Sequence, residues 1–183
     1  MLDGWGVPYT GSDAATSRLA FSKSASKERF AACSVPTPEY RLVHASDTRQ
    51  HLRDAAEQIG YPLVMKPDAS GSSLGVSIIH RHEQLLDAAE RCFDHGPFGL
   101  LERAVTGTEW TLAMIDDEPL PLIRIEPQQA FYDYTAKYQD DGTGYCLDPD
   151  VPADVLTQIE QIGVAASSAV GTRGIARVDL RVD

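Results

Sequence analysis

A chain of 183 residues with 43% hydrophobic and 23% charged side chains has the composition of a globular protein and enough apolar material for one or two compact domains. Its formal net charge of −11 speaks against general binding to nucleic acid or to an anionic membrane, and no apolar run approaches the length of a membrane span. Cys33, Cys92 and Cys146 are too far apart for metal-ligand spacing and suit a reducing cytoplasm, and Met1 to Pro8 lack the basic and apolar regions of a signal peptide.

Gly4 to Ser12, with Pro8 and Gly11, reads as a turn-rich connector. One helix is predicted from Ser17 to about Cys33, with Leu19, Ala20, Lys23 and Lys27 at helical spacing and Pro36 and Pro38 beyond its end. Tyr40 to Val43 is a short strand, and Ser46-Asp47 can cap a helix that runs to about Ile59 and stops at Gly60 and Pro62. Pro62 to Met65 and Val76 to Ile79 are strands flanking a loop of small residues, Lys66 to Gly75. A helix follows from Glu83 to about Phe93, then strands over Gly99–Val105 and Glu109–Ile115. Asp116 to Glu118 makes a turn, and Leu120 to Ile125 returns as a hairpin. Gln128 to Asp148 reads as one long loop, Ala153 to Val170 as a helix and Gly174 to Val182 as a strand. The opening connector and the strand-like close point to a piece of a longer protein.

The Lys66 loop carries most of the chemical information. Gly71 and Gly75 permit tight turning and close approach to a ligand. Ser72 and Ser73 add hydroxyls, the loop amides can form an anion-binding concavity, and Lys66 puts a positive charge at its base. It is no Walker A loop, because no Gly-Lys-Ser/Thr closes it. Lys23 can reach a phosphate chain, although a single helical lysine is ordinarily solvated. Glu102 ends a strand and can accept from an adenine amino group; Glu109 opens the next strand and can hold ribose hydroxyls. Each would otherwise be a surface carboxylate. Phe131 to Tyr138 combines aromatics with charge and can fold over a site, bringing Lys137 near phosphate. Arg177 and Asp179 share one face of a strand. They can pair with each other, or Asp179 can ligate Mg²⁺ while Arg177 stabilises developing negative charge. His80 and His82 have no third partner nearby and belong at the surface.

Read in order, these pieces resemble the D-alanine–D-alanine ligases of the ATP-grasp superfamily. Val7 to Ser12 looks like that family's connector out of its first domain, and Ser17 to Lys23 is similar to its following helix, which usually carries Met-Asp-Lys. Lys66 to Gly75 is similar to its Lys-Pro-x-x-x-Gly-Ser-Ser-x-Gly phosphate loop, Phe131 to Tyr138 to its mobile loop, and Gly174 to Asp179 to its Arg-x-Asp metal strand. The resemblance implies an α+β, ATP-grasp fold: a connector from a missing N-terminal domain over 1–11, a central domain over 12–102 and an incomplete C-terminal domain over 103–183.

The resemblance also implies roles. Lys23 and Lys66 contact ATP phosphates, Ser73 belongs to the nucleotide loop, Glu102, Arg103 and Val105 border the adenine pocket, and Glu109 holds the ribose. Ser72 orients substrate and latches onto Tyr138 on loop closure, while Lys137 approaches the phosphates. Arg177 steadies the tetrahedral intermediate, and Asp179 binds Mg²⁺ or Mn²⁺. The implied reaction phosphorylates one D-alanine with ATP and joins it to a second for peptidoglycan, in a cytoplasmic protein that is a homodimer when full length and that needs neither nucleic acid nor membrane. A D-alanine–D-lactate ligase and a nucleotide-binding pseudoenzyme are the alternatives. Ser70 departs from the pattern, standing where many members carry glutamate, and the chain stops before the family's Glu-x-Asn strand. The expectation is a piece that binds nucleotide weakly and does not catalyse alone.

Overall fold

A computed structural model describes residues 2–126, 143–147 and 149–183. After a short 3-10 turn at Asp3–Trp5, the chain enters helices α1 (Ala14–Phe21) and α2 (Lys23–Ala32). There follow β1 (Tyr40–His44), α3 (Arg49–Ile59), β2 (Leu63–Pro67), β3 (Ser77–Ile79), α4 (Leu85–Phe93) and β4 (Phe98–Arg103). These strands form an antiparallel sheet in the order β1-β4-β2-β3. One face is covered by α3 and α4, each of which repeats small and apolar residues at the spacing of a single helical stripe: Leu52, Ala55, Ala56 and Ile59, then Leu85, Ala88, Ala89 and Cys92. Leu63, Met65 and Leu101 fill the space beneath them.

A second antiparallel sheet is built on β5 (Thr108–Ile115). Strand β9 (Ile175–Val182) pairs along the whole of one edge. The other edge is shared by β6 (Glu118–Pro119) and β7 (Ile123–Glu126), and β8 (Gly144–Cys146) adds to β7. Helix α5 (Ala153–Val170) lies across this sheet over Trp110, Leu112 and Met114 and ends at Gly171, whose φ of 79° and ψ of 38° form a left-handed cap. Helix α2 leans on α5: Phe30 and Val35 pack with Ala166, Ala169 and Val178, and Arg29 Nε donates to Ala169 O at 3.2 Å.

Several sequence expectations are corrected. The single helix over Ser17–Cys33 is two helices, beginning at Ala14 under an Asp13 cap and broken at Ser22, which is extended at φ −86° and ψ 115°. Ser22 Oγ caps α2 by accepting from Ala25 N at 3.2 Å and donates to Asp68 Oδ2 at 2.9 Å, so a distant loop residue holds the break. Thr48, not Ser46 or Asp47, caps α3; the Asp47 carboxylate is drawn back to His44 N at 2.7 Å. The return of the β5 hairpin is split, because its pairing slips between Met114↔Pro119 and Thr111↔Ile123. Part of the expected Gln128–Asp148 loop is strand β8; residues 127–142 and 148 lie outside the described residues.

Helix α5 lies close against β5 at Gly163, where an added Cβ would sit 2.6 Å from Leu112 Cδ2. Leu112 is fully buried and cannot yield without disturbing Trp110 and Met114. Gly163→Val is expected to lower stability by about 1–3 kcal/mol through overpacking. Urea unfolding checks this; an unchanged midpoint would mean that the helix stands off the sheet.

Candidate functional site

Alternation along β2 turns Leu63 and Met65 into the core and Val64 and Lys66 to the opposite face of the sheet. On the neighbouring β4, Glu102 is in register with Val64 and projects to that same face. It is buried, and two lysines close on it. Lys66 Nζ donates to Oε1 at 2.6 Å, and Lys27 Nζ, reaching across from α2, lies 2.6 Å from Oε2. Burial alone would raise the Glu102 pKa; Lys66 and Lys27 outweigh it and hold the carboxyl below its ordinary value. Lys27 is itself almost enclosed, donating to Thr37 Oγ1 at 2.6 Å and Pro38 O at 3.0 Å over the ring of Tyr40. Oε2 accepts no further hydrogen bond, and the Lys66 ammonium has no second acceptor, among the described residues.

The loop after Lys66 is held from below. Lys23 Nζ donates to three loop carbonyls, Pro67 O at 2.9 Å, Ser70 O at 2.8 Å and Asp68 O at 3.3 Å. The Asp68 carboxylate accepts from Ser24 N at 2.7 Å, tying the loop to the start of α2. Burial first, and the nearby charge of Lys66 second, lower the Lys23 pKa from 10.5 to about 8. Within the loop, Ser72 and Ser73 have φ of 53° and 58°, and Gly75 has φ of 70°. Left-handed backbone costs a non-glycine residue roughly 1–2 kcal/mol, a strain that concentrates at ligand-binding loops. An added Cβ at Gly75 would meet Pro67 Cγ at 2.8 Å, which is why a side chain is excluded at that corner.

The second sheet supplies the facing wall. Glu109 and Thr111 of β5 stand beside Arg181 and Asp179 of β9 in register. Thr111 Oγ1 donates to Asp179 Oδ1 at 2.9 Å, and Arg181 Nη2 donates to Glu109 Oε2 at 2.9 Å while Nη1 reaches Val105 O at 3.3 Å. Between the walls lies a cleft of about 710 Å³, a size typical of small-ligand sites. Lys23, Lys27, Lys66 and Arg181 line it against Glu102, Glu109 and Asp179, a local cationic excess in an acidic chain.

Of the residues singled out from sequence, Lys23, Lys66, Ser72, Ser73, Glu102, Val105, Glu109 and Asp179 therefore line one cleft. Arg103 does not: next to Glu102 on the strand, it faces the other way, and its Nη2 donates to Ile59 O at 2.8 Å. Arg177 is exposed outside the lining and grips the Asp179 carboxylate with two contacts, 2.9 Å from Nε and 3.0 Å from Nη2. Lys137 and Tyr138 lie outside the described residues. His80 is exposed just past β3, at the cleft rim, and His82 is exposed in a 3-10 turn. Lys27 and Arg181 were not singled out. The signals were there: Lys27 follows Lys23 by one helical turn, and Arg181 continues the alternation of Arg177 and Asp179. Among the described residues no group of three or more His, Cys, Asp or Glu gathers to hold a metal. Asp179 alone, already paired with Arg177, does not constitute a Mg²⁺ site.

Two facing antiparallel sheets with a lysine-floored cleft between them define an ATP-grasp fold. The chain belongs to the family described as "D-ala D-ala ligase C-terminus", which matches residues 30–183. It is 38% identical over its whole length to the D-alanine–D-alanine ligase of Gloeobacter violaceus, and it spans 61% of that relative. The crystal structure of D-alanine–D-alanine ligase from Bacillus anthracis superposes on all of this chain and 59% of that one with a TM-score of 0.85 at 30% identity. The same enzyme complexed with ATP gives a TM-score of 0.84 at 25% identity, covering all of this chain and 57% of that one.

The depressed Lys23 pKa has a consequence for stability. The unfolded lysine titrates near 10.5 and the folded one near 8, so the unfolded chain binds more protons between those values and stability from this group rises with pH across that window. Cys92, raised by burial from 9.0 to about 11 and held back by the charge of Lys23, acts in the opposite sense above pH 9; removing Lys23 enlarges that penalty in the variant, which works in the same direction as the loss of Lys23 itself. The stability difference between wild type and Lys23→Met is therefore expected to move in favour of wild type as pH climbs from 8 to 10.5. A difference that stays constant in urea unfolding across that range would show Lys23 to be solvated.

Proposed function

We propose that the chain is the nucleotide-clasping part of an ATP-dependent ligase that joins two D-alanines into the dipeptide used for peptidoglycan. The observation that carries this reading is the convergence of Lys66 from one sheet and Glu109 and Asp179 from the other on a single cleft. The family membership and the printed names of the relatives support the same substrates. The finding that a similar ligase takes ATP supports a nucleotide here.

In this reading the spare donors of Lys66 meet phosphate oxygens, Glu102 and the Val105 segment border the adenine, and Glu109 turns to the ribose. Ser72 and Ser73 offer loop amides and hydroxyls to the phosphates. Lys23 contributes by shaping that loop and by adding positive charge beneath it. The first D-alanine attacks the γ-phosphorus through a carboxylate oxygen, the bond to the bridging oxygen breaks, and ADP leaves. The amine of the second D-alanine then attacks the acyl carbon, forming the peptide bond as phosphate departs and the amine loses its proton. Two anions must meet in the first step, so cationic side chains around the phosphates lower the barrier. Arg177 stands outside the cleft lining and is paired with Asp179, so it would serve the tetrahedral species of the second step only by releasing that carboxylate. Asp179 is assigned to Mg²⁺ only in company with further ligands, and Lys137 and Tyr138 to a closing loop. A nucleotide-dependent reaction suits the cytoplasm, and a homodimeric full-length protein is part of the same reading.

A ligand that binds only the folded chain raises its stability, by about 2.7 kcal/mol at a hundredfold excess over Kd. MgATP is expected to raise the melting temperature of the chain, and Lys66→Met to weaken binding by on the order of tenfold or more, as for loss of a charge-assisted hydrogen bond. Thermal denaturation checks the first and calorimetric titration the second. A wild-type chain indifferent to MgATP would sink the proposal.

A further inference from the structure

We propose that Asp68 is a positioning residue for phosphate binding: its carboxylate fastens the start of the Lys66 loop to the first turn of α2, so that the loop holds its shape before a phosphate chain arrives. The inference rests on the proposed nucleotide reading, but it concerns a side chain that stands outside the cleft lining. By charge alone Asp68 is misplaced. A carboxylate two residues beyond Lys66 repels the anion that the loop is assigned to bind.

Every polar atom of Asp68 is engaged within the fold. Its amide donates to Phe98 O at 3.0 Å, and its carbonyl accepts from Lys23 N at 3.1 Å and from Lys23 Nζ at 3.3 Å. Oδ1 accepts from Ser24 N at 2.7 Å, and Oδ2 accepts from the Ser22 hydroxyl at 2.9 Å. The Lys23 and Ser24 amides open α2, where a helix offers them no acceptor, and the first turn of α2 has no acidic residue of its own. Asp68 supplies from another part of the chain both the acceptors and the negative charge that a helix N-terminus favours. The same turn sends the Lys23 side chain back beneath the loop, to the carbonyls of Pro67, Asp68 and Ser70. In a trans peptide the C=O and the following N–H point in opposite directions. The Ser70 carbonyl, turned onto Lys23, therefore aims the Gly71 amide the other way, and Gly71 lines the cleft. Without the Asp68 carboxylate, the Ser24 amide and the Ser22 hydroxyl lose that acceptor, the first turn of α2 frays, and Lys23 is no longer held under the loop. The left-handed backbone at Ser72 and Ser73 then relaxes towards an open turn.

The test is calorimetric titration of the chain with MgATP and with adenosine, which carries no phosphate. Repulsion and positioning predict opposite signs. An Asp68 that only repels makes Asp68→Ala bind MgATP more tightly. The positioning role makes Asp68→Ala weaken MgATP by on the order of tenfold, the scale of a lost charge-assisted hydrogen bond, and leaves adenosine unchanged. Asp68→Asn keeps an acceptor for Ser24 N and is expected to recover part of the loss. Where adenosine binds too weakly to titrate, hydrogen exchange of the ligand-free chain replaces it: amides of residues 69–75 exchange faster in Asp68→Ala, and wild-type rates there refute the role. Failure of wild type to bind MgATP would overturn the nucleotide reading itself. Binding by wild type, with MgATP affinity unchanged or tighter in Asp68→Ala, or with an equal loss for both ligands, would overturn the role given to Asp68 alone. Should Asp68→Ala not fold, the isosteric Asp68→Asn decides by the same comparison, with a smaller loss expected for MgATP.

Discussion

A carboxylate buried between two lysines organises this molecule. Taking Glu102 out of water costs several kcal/mol, and the cost is offset only if cations sit at hydrogen-bonding distance from both oxygens. Lys66 and Lys27 do so, each at 2.6 Å, and they come from β2 and α2, while Glu102 itself belongs to β4. The requirement for charge neutrality inside the wall thus couples three elements distant in sequence. It also explains why α2, whose apolar contacts are with α5, extends its lysines towards the first sheet. The helix belongs by packing to one half and by charge to the other, which closes one end of the cleft.

The same helix carries the second constraint, the tie to the phosphate loop. Asp68 takes the Ser24 amide and the Ser22 hydroxyl, and Lys23 takes three loop carbonyls, so loop and helix start satisfy each other's polar groups. A loop with two serines in left-handed backbone needs such support, since the strain would otherwise relax into a more open turn. The arrangement gives Lys23 a role different from that of a free phosphate ligand. Its ammonium is largely occupied by protein acceptors, and its charge acts through the loop that it shapes.

Elements governed by local periodicity were legible in the sequence. Helix α5 was expected from Ala153 to Val170, and β2 was expected from the apolar run Pro62 to Met65 that leads into Lys66. Features governed by distant partners were not. The break at Ser22 depends on Asp68, 46 residues away, and nothing in Ser17–Cys33 alone interrupts a helix. Strand β8 spans only Gly144–Cys146 and exists through pairing with β7. At the site, the loop and the paired Arg177 and Asp179 announced themselves by composition and alternation, whereas Lys27 looked like any solvated lysine until Glu102 was seen across from it. The outward turn of Arg103 was implicit in the alternation that sends Glu102 inward; a family motif had drawn both residues into one pocket.

How the two sheets hold their spacing is a matter of backbone contact and charge in equal part. The chain crosses from one to the other over residues 104–107, and an added Cβ at Gly107 would overlap Val182 O at 1.7 Å. Only a residue without a side chain lets the crossing lie against the end of β9. Beside it, Arg181 holds the Val105 carbonyl and the Glu109 carboxylate at once, joining the crossing segment to the neighbouring strands β5 and β9 of the second sheet. The crossing is therefore clamped and does not swing freely, and motion of one sheet relative to the other must bend the segment around these contacts or break them. Under the proposed reading, in which Glu109 holds the ribose, a nucleotide settling into the cleft would share that carboxylate with Arg181. That would make the crossing sensitive to whether the cleft is filled, through a hydrogen bond of 2.9 Å whose partners are fixed to opposite strands of the same ladder.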